Sequence, residues 1–335
     1  MQRLRELVSR VIIAFIDKSN PNIEVADSLD LYYCYKFLLG RRPDPEGWAT
    51  HLKAIRRGMP VKNLVGNFIA STAFRQMYEK QSILVRVNDS FAMYVDPDDL
   101  DIGRGIVTDR AYEPHVTALL QRELHENQVF LDVGANMGWF TLLAAPILHA
   151  GKVIAIEPNH DNVQLIYRSL IENEFTNISV FPFAATDVDG LLQLNYVRSN
   201  GYVTAVGDFR NTASYVHGVR LDDLLRDEPR IDIVKIDIEG HEPRALSGMA
   251  GIIRRDHPVI VSEFHPKAMR EASGIEGSDY LHTMMNWGYR LSIIETNGDE
   301  IECANGDAIM EYWRAYNHKS GTEDELHLDL VARSL

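Results

Sequence analysis

Five side chains able to carry charge or move protons fall at the ends of two short apolar runs. The first run continues as Lys235-Ile236-Asp237-Ile238-Glu239-Gly240-His241-Glu242, and the second ends Val261-Ser262-Glu263-Phe264-His265. Glu263 and His265 are two apart, which puts them on one face of an extended chain, and Asp237, Glu239 and His241 alternate in the same way. Two kinds of chemistry use such a set. In one, Asp237, Glu263 and His265 hold a divalent cation that binds an acceptor's hydroxyls; oxygen-rich ligation suits Mg2+ or Mn2+. In the other, His241 or His265 is a general base oriented by Glu239 or Glu263. An aliphatic hydroxyl is a poor acid and needs one of these aids. Glu239 and Glu242 also suit the start of the helix entered at Pro243 without any catalytic duty.

A second group lies upstream, in Val129-Phe130-Leu131-Asp132-Val133-Gly134-Ala135-Asn136-Met137-Gly138. A glycine turn lets backbone approach a ligand closely, and a following helix presents N–H groups. A dinucleotide site would use G-x-G-x-x-G. Here the frame is Asp132, Gly134, Gly138, with Ala135 and Asn136 in the turn. A carboxylate at Asp132 repels a pyrophosphate but suits a ligand with an ammonium group, and S-adenosylmethionine has an α-amino group and no phosphate. The next run, Val153 to Ile156, ends in Glu157-Pro158, 19 residues after Gly138. An acid there accepts hydrogen bonds from both ribose hydroxyls of an adenosine. In Phe181-Pro182-Phe183-Ala184-Ala185-Thr186-Asp187, Ala185 and Asp187 stand by position to face adenine, while Phe181 and Phe183 are as readily strand packing.

These residues need a scaffold that brings strand ends together. Apolar runs at 129–133, 152–156, 178–184, 231–236 and 259–263 alternate with helical patterns at 139–148, 161–172 and 244–254. Runs apolar throughout read as strands buried on both faces, and their alternation with helices predicts a doubly wound parallel α/β sheet that binds ligands at the carboxyl ends of its strands. Segments 83–87 and 91–95 read as strands joined by a turn at Asn88-Asp89, 113–124 as a helix, 191–197 and 214–219 as inserted strands, and 326–332 as a last strand.

The first 80 residues differ. They hold 13 Lys/Arg against 8 Asp/Glu, net +5, whereas residues 81–335 hold 21 against 40, net −19, giving −14 for the 335-residue chain. The break predicts two domains, a helical docking module over 1–80 (core 28–79) and a catalytic domain over 81–335. Ser28 reads as the cap of a helix that stops at Gly40. Asp44 with Pro45 reads as the cap and first residue of a second helix. Pro60 opens a third, and Ser71 a fourth that includes Phe74 and Tyr78, together a small all-helical bundle. Leu4, Leu7, Val8, Val11, Ile12 and Phe15 form one face of a helix at 1–17. It is expected to dock on its own protein, with contact to an anionic membrane surface as the alternative. No apolar run reaches the ~20 residues of a bilayer span. The two cysteines, Cys34 and Cys303, are far apart, which excludes a disulfide scaffold and a cysteine zinc site.

Phe130-Leu131-Asp132-Val133-Gly134-Ala135-Asn136-Met137-Gly138, Val153 to Pro158, Leu221-Asp222-Asp223-Leu224 and Val234 to Glu242 together resemble the FkbM family of S-adenosylmethionine-dependent methyltransferases over residues 103–295. The resemblance implies a seven-stranded, Rossmann-like methyltransferase sheet and O-methylation of sugar or polyketide hydroxyls. It also implies a place for Tyr112 and Glu113 near the cofactor's methionine end, although Glu113-Pro114 is equally a helix cap. Leu38-Leu39-Gly40-Arg41-Arg42-Pro43-Asp44-Pro45-Glu46-Gly47 resembles the LLGR-x-PDPEG signature of a short helical domain often found beside glycan-handling domains. The expectation is thus an O-methyltransferase of a glycan or glycan precursor. Its expected location is cytoplasmic, peripheral to the inner membrane face if residues 1–80 meet a membrane or protein partner. The inserted strands and aromatic-rich helices are equally an oligomer interface or plain core. Missing G-x-G-x-x-G and Asp132 argue against an NAD(P) dehydrogenase. A −19 domain lacking an Asn/Asp-Pro-Pro-aromatic stretch argues against nucleic acid as acceptor.

Overall fold

The computed structural model describes residues 25–39, 42–69, 71–74, 82–88, 90–100, 102–197, 200–205 and 214–335. The helix expected at 1–17, the stop at Gly40 expected for the helix capped at Ser28, and most of the fourth helix, including Tyr78, lie outside these residues. The first helix, α1 (Ser28–Tyr33), runs into a π-helical turn at Cys34–Leu38. Its start is closed by a reciprocal pair: Asp27 N–H donates to Asp30 Oδ2 at 2.8 Å and Asp30 N–H to Asp27 Oδ1 at 3.0 Å. Asp27, not Ser28, is therefore the cap, because its carboxylate can answer Asp30 across one turn. Helix α2 (Pro45–Ile55) starts as expected, with Gly47 N–H donating to Asp44 Oδ1 at 2.7 Å. After α3 (Val61–Ile69), Phe74 N–H donates to Ser71 Oγ at 3.1 Å. Leu31, Tyr35, Leu64, Phe68 and Phe74 form a core of their own, and Tyr167 packs against it from the rest of the chain.

Strands β1 (Ile83–Val87) and β2 (Phe91–Val95) form an antiparallel hairpin, with Asn88 in the left-handed region at φ 51°. Helices α4 (Gly103–Asp109) and α5 (Pro114–Glu123) lead into β3 (Val129–Val133), α6 (Trp139–Ile147), β4 (Lys152–Ile156), α7 (His160–Glu172) and β5 (Ile178–Phe181). Pro182 ends β5, where 178–184 was expected to be one strand. Ala184–Ala185 form β6 in a different sheet, with β7 (Gly190–Val197), β8 (Asn200–Ala205) and β9 (Ser214–Val219). The chain returns through α8 (Leu221–Leu224) to β10 (Ile233–Ile236). The single helix expected at 244–254 is two, α9 (Glu242–Gly248) and α10 (Ala250–Asp256), joined at Met249. Then follow β11 (Val259–Phe264), α11 (Pro266–Ser273), α12 (Gly277–Asn286), β12 (Tyr289–Ile294), β13 (Glu300–Cys303), α13 (Gly306–Ser320) and β14 (Leu328–Ser334).

The main sheet has the order β13-β12-β14-β11-β10-β3-β4-β5. Its central pairs β11-β10, β10-β3, β3-β4 and β4-β5 are parallel, and β14 lies antiparallel between β11 and β12. This is the expected doubly wound α/β sheet with one strand more than the expected seven. The addition is the edge strand β13, whose half-polar Glu-Ile-Glu-Cys lacks an apolar run to announce it. Leu131, Val133, Ile154, Ile156, Val234 and Ile236 are all at most 1% exposed, each contributing about 1.5–3 kcal/mol by leaving water. Strands β3, β4, β10 and β11 end at one edge of the sheet, and antiparallel β14 begins there. No helix among the described residues is long and apolar enough to cross a membrane.

Candidate active site

A cleft of about 880 Å³ opens at that edge, over β3, β4 and β10, with Leu194, Gly201 and Val203 of the inserted sheet on one side. Its back is the loop after β3. Gly134 has φ 86°, and a Cβ there would lie 1.9 Å from Asp237 O, so only glycine lets this loop pass the end of β10. Gly134 N–H and Ala135 N–H donate to Ile156 O at 2.9 and 3.1 Å, tying the loop to β4. Gly138, at φ 93°, opens α6; a Cβ there would meet Ile166 at 2.9 Å. Gly134, Ala135 and Asn136 line the cleft, and Gly138 shapes it from behind.

Glu157 lines the cleft at the end of β4, with Pro158 and Asn159 beside it. Its Oε2 accepts from Asn136 N–H at 2.8 Å, and its Oε1 from Asn159 N–H at 2.8 Å and Asn162 Nδ2 at 3.4 Å. Burial pushes the carboxyl up to about 7, against these donors, which pull it down. Ala185 and Phe183 are on the wall. Asp187 is not; its carboxylate accepts from Arg244 Nη1 at 3.0 Å, because the turn after Pro182 carries it toward α9. Phe183, whose position alone suits either the wall or strand packing, lines the cleft.

Asp132 also stands differently from expectation. It is 1% exposed and absent from the cleft wall; Oδ2 accepts from Thr141 Oγ1 at 2.6 Å, and Oδ1 is buried with no hydrogen-bond partner. Two residues before Gly134, its strand side chain points behind the loop. Its charge acts through Lys235, the residue that sequence reasoning missed. Lys235 is 4% exposed in the centre of β10 and lines the cleft; its Nζ donates to Asp237 Oδ2 at 2.8 Å and sits 4.5 Å from the Phe140 ring centroid. Burial alone would push its pKa down, but Asp237, Glu113 and Asp132 surround it and raise it above the ordinary lysine value. A lysine inside the apolar run Ile233-Val234-Lys235-Ile236 was the available signal, since burying a charge is costly unless it is paired.

Asp237 and Glu239 line the cleft as expected. Burial raises the Asp237 carboxyl, but the Lys235 ammonium outweighs it and holds Asp237 below the usual range. Glu242 clamps the loop between them, accepting from Ile238 N–H at 2.8 Å and Gly240 N–H at 3.1 Å. His241 does not reach the cleft. It is 2% exposed, with Nε2 3.1 Å from Thr186 Oγ1, and burial, then Arg244, lower it to about 4. The left-handed turn at Glu239 and Gly240 breaks the strand alternation, so Glu239 and His241 no longer share a face.

Glu263 lies one layer behind Asp237. Burial and the Asp237 charge push its carboxyl well up. Its Oε1 is 2.9 Å from His327 Nδ1, which this contact raises to about 10. His265 is not with them; its Nδ1 accepts from Ala268 N–H at 3.5 Å as the cap of α11. The expected metal set is thus dispersed: Lys235 and His327 already meet Asp237 and Glu263. Among the described residues no group of three or more His, Cys, Asp or Glu is placed to hold a metal ion. Tyr112 lines the cleft with Trp139 and Phe140, its ring 6.3 and 5.9 Å from theirs. Glu113 is half-buried beside Lys235, and burial raises it to about 7.

A doubly wound sheet whose first loop is backed by an acid, followed by a second strand that ends in a cleft-lining glutamate, is the arrangement of a Rossmann-like methyltransferase. Residues 132–291 match the family model described as Methyltransferase FkbM domain, and this part of the chain is such a domain. The chain is 25% identical over 197 residues to the hexuronic acid methyltransferase AglP of Haloferax volcanii, covering 58% of this chain and 77% of that protein. It is 26% identical over 207 residues to the methyltransferase sdnD of Sordaria araneosa, covering 50% of this chain and 76% of that one. Among solved structures, a methyltransferase FkbM from Methylobacillus flagellatus aligns at 14% identity and a TM-score of 0.38, covering 81% of this chain; the alignment spans 57% of that protein's length.

Proposed function

We propose that the cleft binds S-adenosylmethionine and that the protein O-methylates a hydroxyl of a sugar, glycan or glycan precursor. The observation that carries the cofactor is Glu157, on the cleft wall at the end of β4 and tied by Asn136 N–H to the glycine loop. There its oxygens accept from two ribose hydroxyls. Ala185 and Phe183 flank adenine. Asp237, Glu239 and the aromatic wall of Tyr112, Trp139 and Phe140 surround the cationic end with negative charge and π faces. The acceptor class is supported by the relative whose name records action on a hexuronic acid.

Bound S-adenosylmethionine supplies an electrophilic methyl carbon on its sulfonium. Asp237 is the proton acceptor. Its low pKa makes it a weak base, but a hydroxyl becomes strongly acidic as its oxygen gains the methyl group, so a positioned carboxylate suffices late in the transfer. Lys235 fixes that carboxylate's rotamer through the 2.8 Å contact, and Glu263 supports it from behind. Residues 1–80 form a separate docking module, supported by their own core and their net +5 charge, and residues 81–335 the catalytic domain. We place the enzyme in a reducing compartment, the cytoplasm, since Cys34 and Cys303 are both free thiols.

The test is radiolabelled methyl transfer over nucleotide sugars, oligosaccharides and lipid-linked glycans. Asp237→Asn is expected to bind S-adenosylhomocysteine as the wild type does while losing at least about 100-fold in turnover. Full turnover in that variant, or label passing only to non-sugar acceptors, overturns the assignment.

A further inference from the structure

A second cavity, of about 670 Å³, opens at the same edge of the sheet but over β12 and β14. Ile293, Ile294 and Leu328 give it an apolar base. Tyr312 and Tyr316 line it from α13; four apart, they share one helix face. The remaining wall is polar, from the turn after β12 and from His115, His327 and Asp329.

We propose that this cavity is the sugar-ring subsite of the acceptor. A pyranose has apolar C–H faces and a polar rim, and a pocket for it needs aromatic faces with hydrogen-bonding groups around them. The polar groups here are held in place before any ligand arrives. Tyr312 Oη donates to Glu295 Oε1 at 2.6 Å. The turn that carries Glu295 and Asn297 is closed by Gly298 N–H to Glu295 O at 2.8 Å and Glu295 N–H to Asp299 O at 2.9 Å. His115 Nε2 lies 2.7 Å from Asp329 Oδ2. Such groups lose little freedom on binding, which favours affinity for a small polar ligand.

The cavity neighbours the reacting centre through a short chain of side chains. His327 lines it and contacts Glu263, and Glu263 adjoins Asp237 on the wall of the first cleft. Glu263 Oε2 is buried with no donor of its own. The subsite rests on the methyl transfer proposed above, and the experiment separates the two.

Saturation-transfer NMR is run with methyl β-glucopyranoside, methyl β-glucuronopyranoside and UDP-glucose, on wild type and on Tyr316→Ala, with S-adenosylhomocysteine affinity measured by calorimetry on both. Tyr316 is 36% exposed, so its truncation spares the fold. Expected is saturation of pyranose ring protons in at least one probe, falling about fivefold or more in Tyr316→Ala while S-adenosylhomocysteine affinity stays within about twofold. Signal from UDP-glucose alone assigns a nucleotide-linked acceptor; signal from a methyl glycoside assigns the ring itself. Pyranose signal equal in both proteins, or none from any probe while S-adenosylhomocysteine binds, overturns the subsite alone. If S-adenosylhomocysteine fails to bind wild type, the methyl-transfer proposal falls instead.

Discussion

Replacing Glu157 by Gln tests the cofactor assignment most directly, and the structure sets the size of the effect. The carboxylate accepts two backbone N–H bonds at 2.8 Å and presents its remaining lone pairs to the cleft. An amide of the same shape keeps one acceptor and turns an NH2 toward the other donor, leaving one buried N–H unpaired at a cost of about 1–3 kcal/mol in stability. Against the ribose, two charge-assisted bonds become neutral ones at best. At about 1–1.5 kcal/mol per bond, the loss is about 2–3 kcal/mol, or roughly 30- to 150-fold in Kd. The pH dependence is a second signature. The free carboxyl titrates at about 7 because it is buried, and ribose hydroxyls bind its ionised form. Affinity is therefore flat above about pH 7 and falls by up to tenfold per unit below it, with a proton released on binding. The same upward shift, from 4.5 to about 7, makes the unliganded fold lose stability as pH rises through that window, because the unfolded carboxyl ionises first. Calorimetry with S-adenosylhomocysteine between pH 5.5 and 8, in buffers of different ionisation enthalpy, reads both signatures. A Glu157→Gln protein that remains folded and binds like wild type with the same pH slope refutes the assignment.

Other expectations follow from the charges around β10. Lys235→Met leaves Asp237 and Asp132 without their buried cation and should cost about 3–5 kcal/mol in denaturant unfolding; a loss under 1 kcal/mol would show that the pair is screened by solvent. His241→Asn should retain turnover within about threefold, since the imidazole faces Thr186 and not the cleft; abolished turnover with an intact melting profile would restore it as the base. Dialysis against EDTA should leave turnover unchanged, because Lys235 and His327 already engage the carboxylates a cation would need. Activity lost to EDTA and regained with Mg2+ or Mn2+ contradicts this. The His327–Glu263 contact stabilises the fold fully below about pH 6.5 and loses that contribution as pH rises through about 10, so His327→Gln should flatten the alkaline limb of a stability–pH curve.

The chain by itself determined the sheet and the glycine loop at the back of the cleft. Apolar runs such as Val129–Val133 and Lys152–Ile156 can only be strands buried on both faces, and each occupies the residues the pattern assigned. Gly134 and Gly138 announced backbone at positive φ, and Glu157 announced an acid at the next strand end; these depend on local geometry that a few neighbouring residues dictate. What only the tertiary structure decided is which strand-end groups meet. Periodicity placed Asp237, Glu239 and His241 on one face, but the left-handed turn at Glu239 and Gly240 sent His241 to Thr186. Spacing grouped Glu263 with His265, whereas β14, the last strand of the chain, inserts beside β11 and brings His327 to Glu263 instead. Lys235 shows the division most clearly. Its position inside a buried strand and its nearest partner, Asp237 two residues on, were legible, but the other carboxylates around it, Asp132 from β3 and Glu113 from the turn before α5, are more than 100 residues away along the chain. A buried charge must be paired; the sequence supplied the near carboxylate, and only the packing of distant elements brought the other two to it.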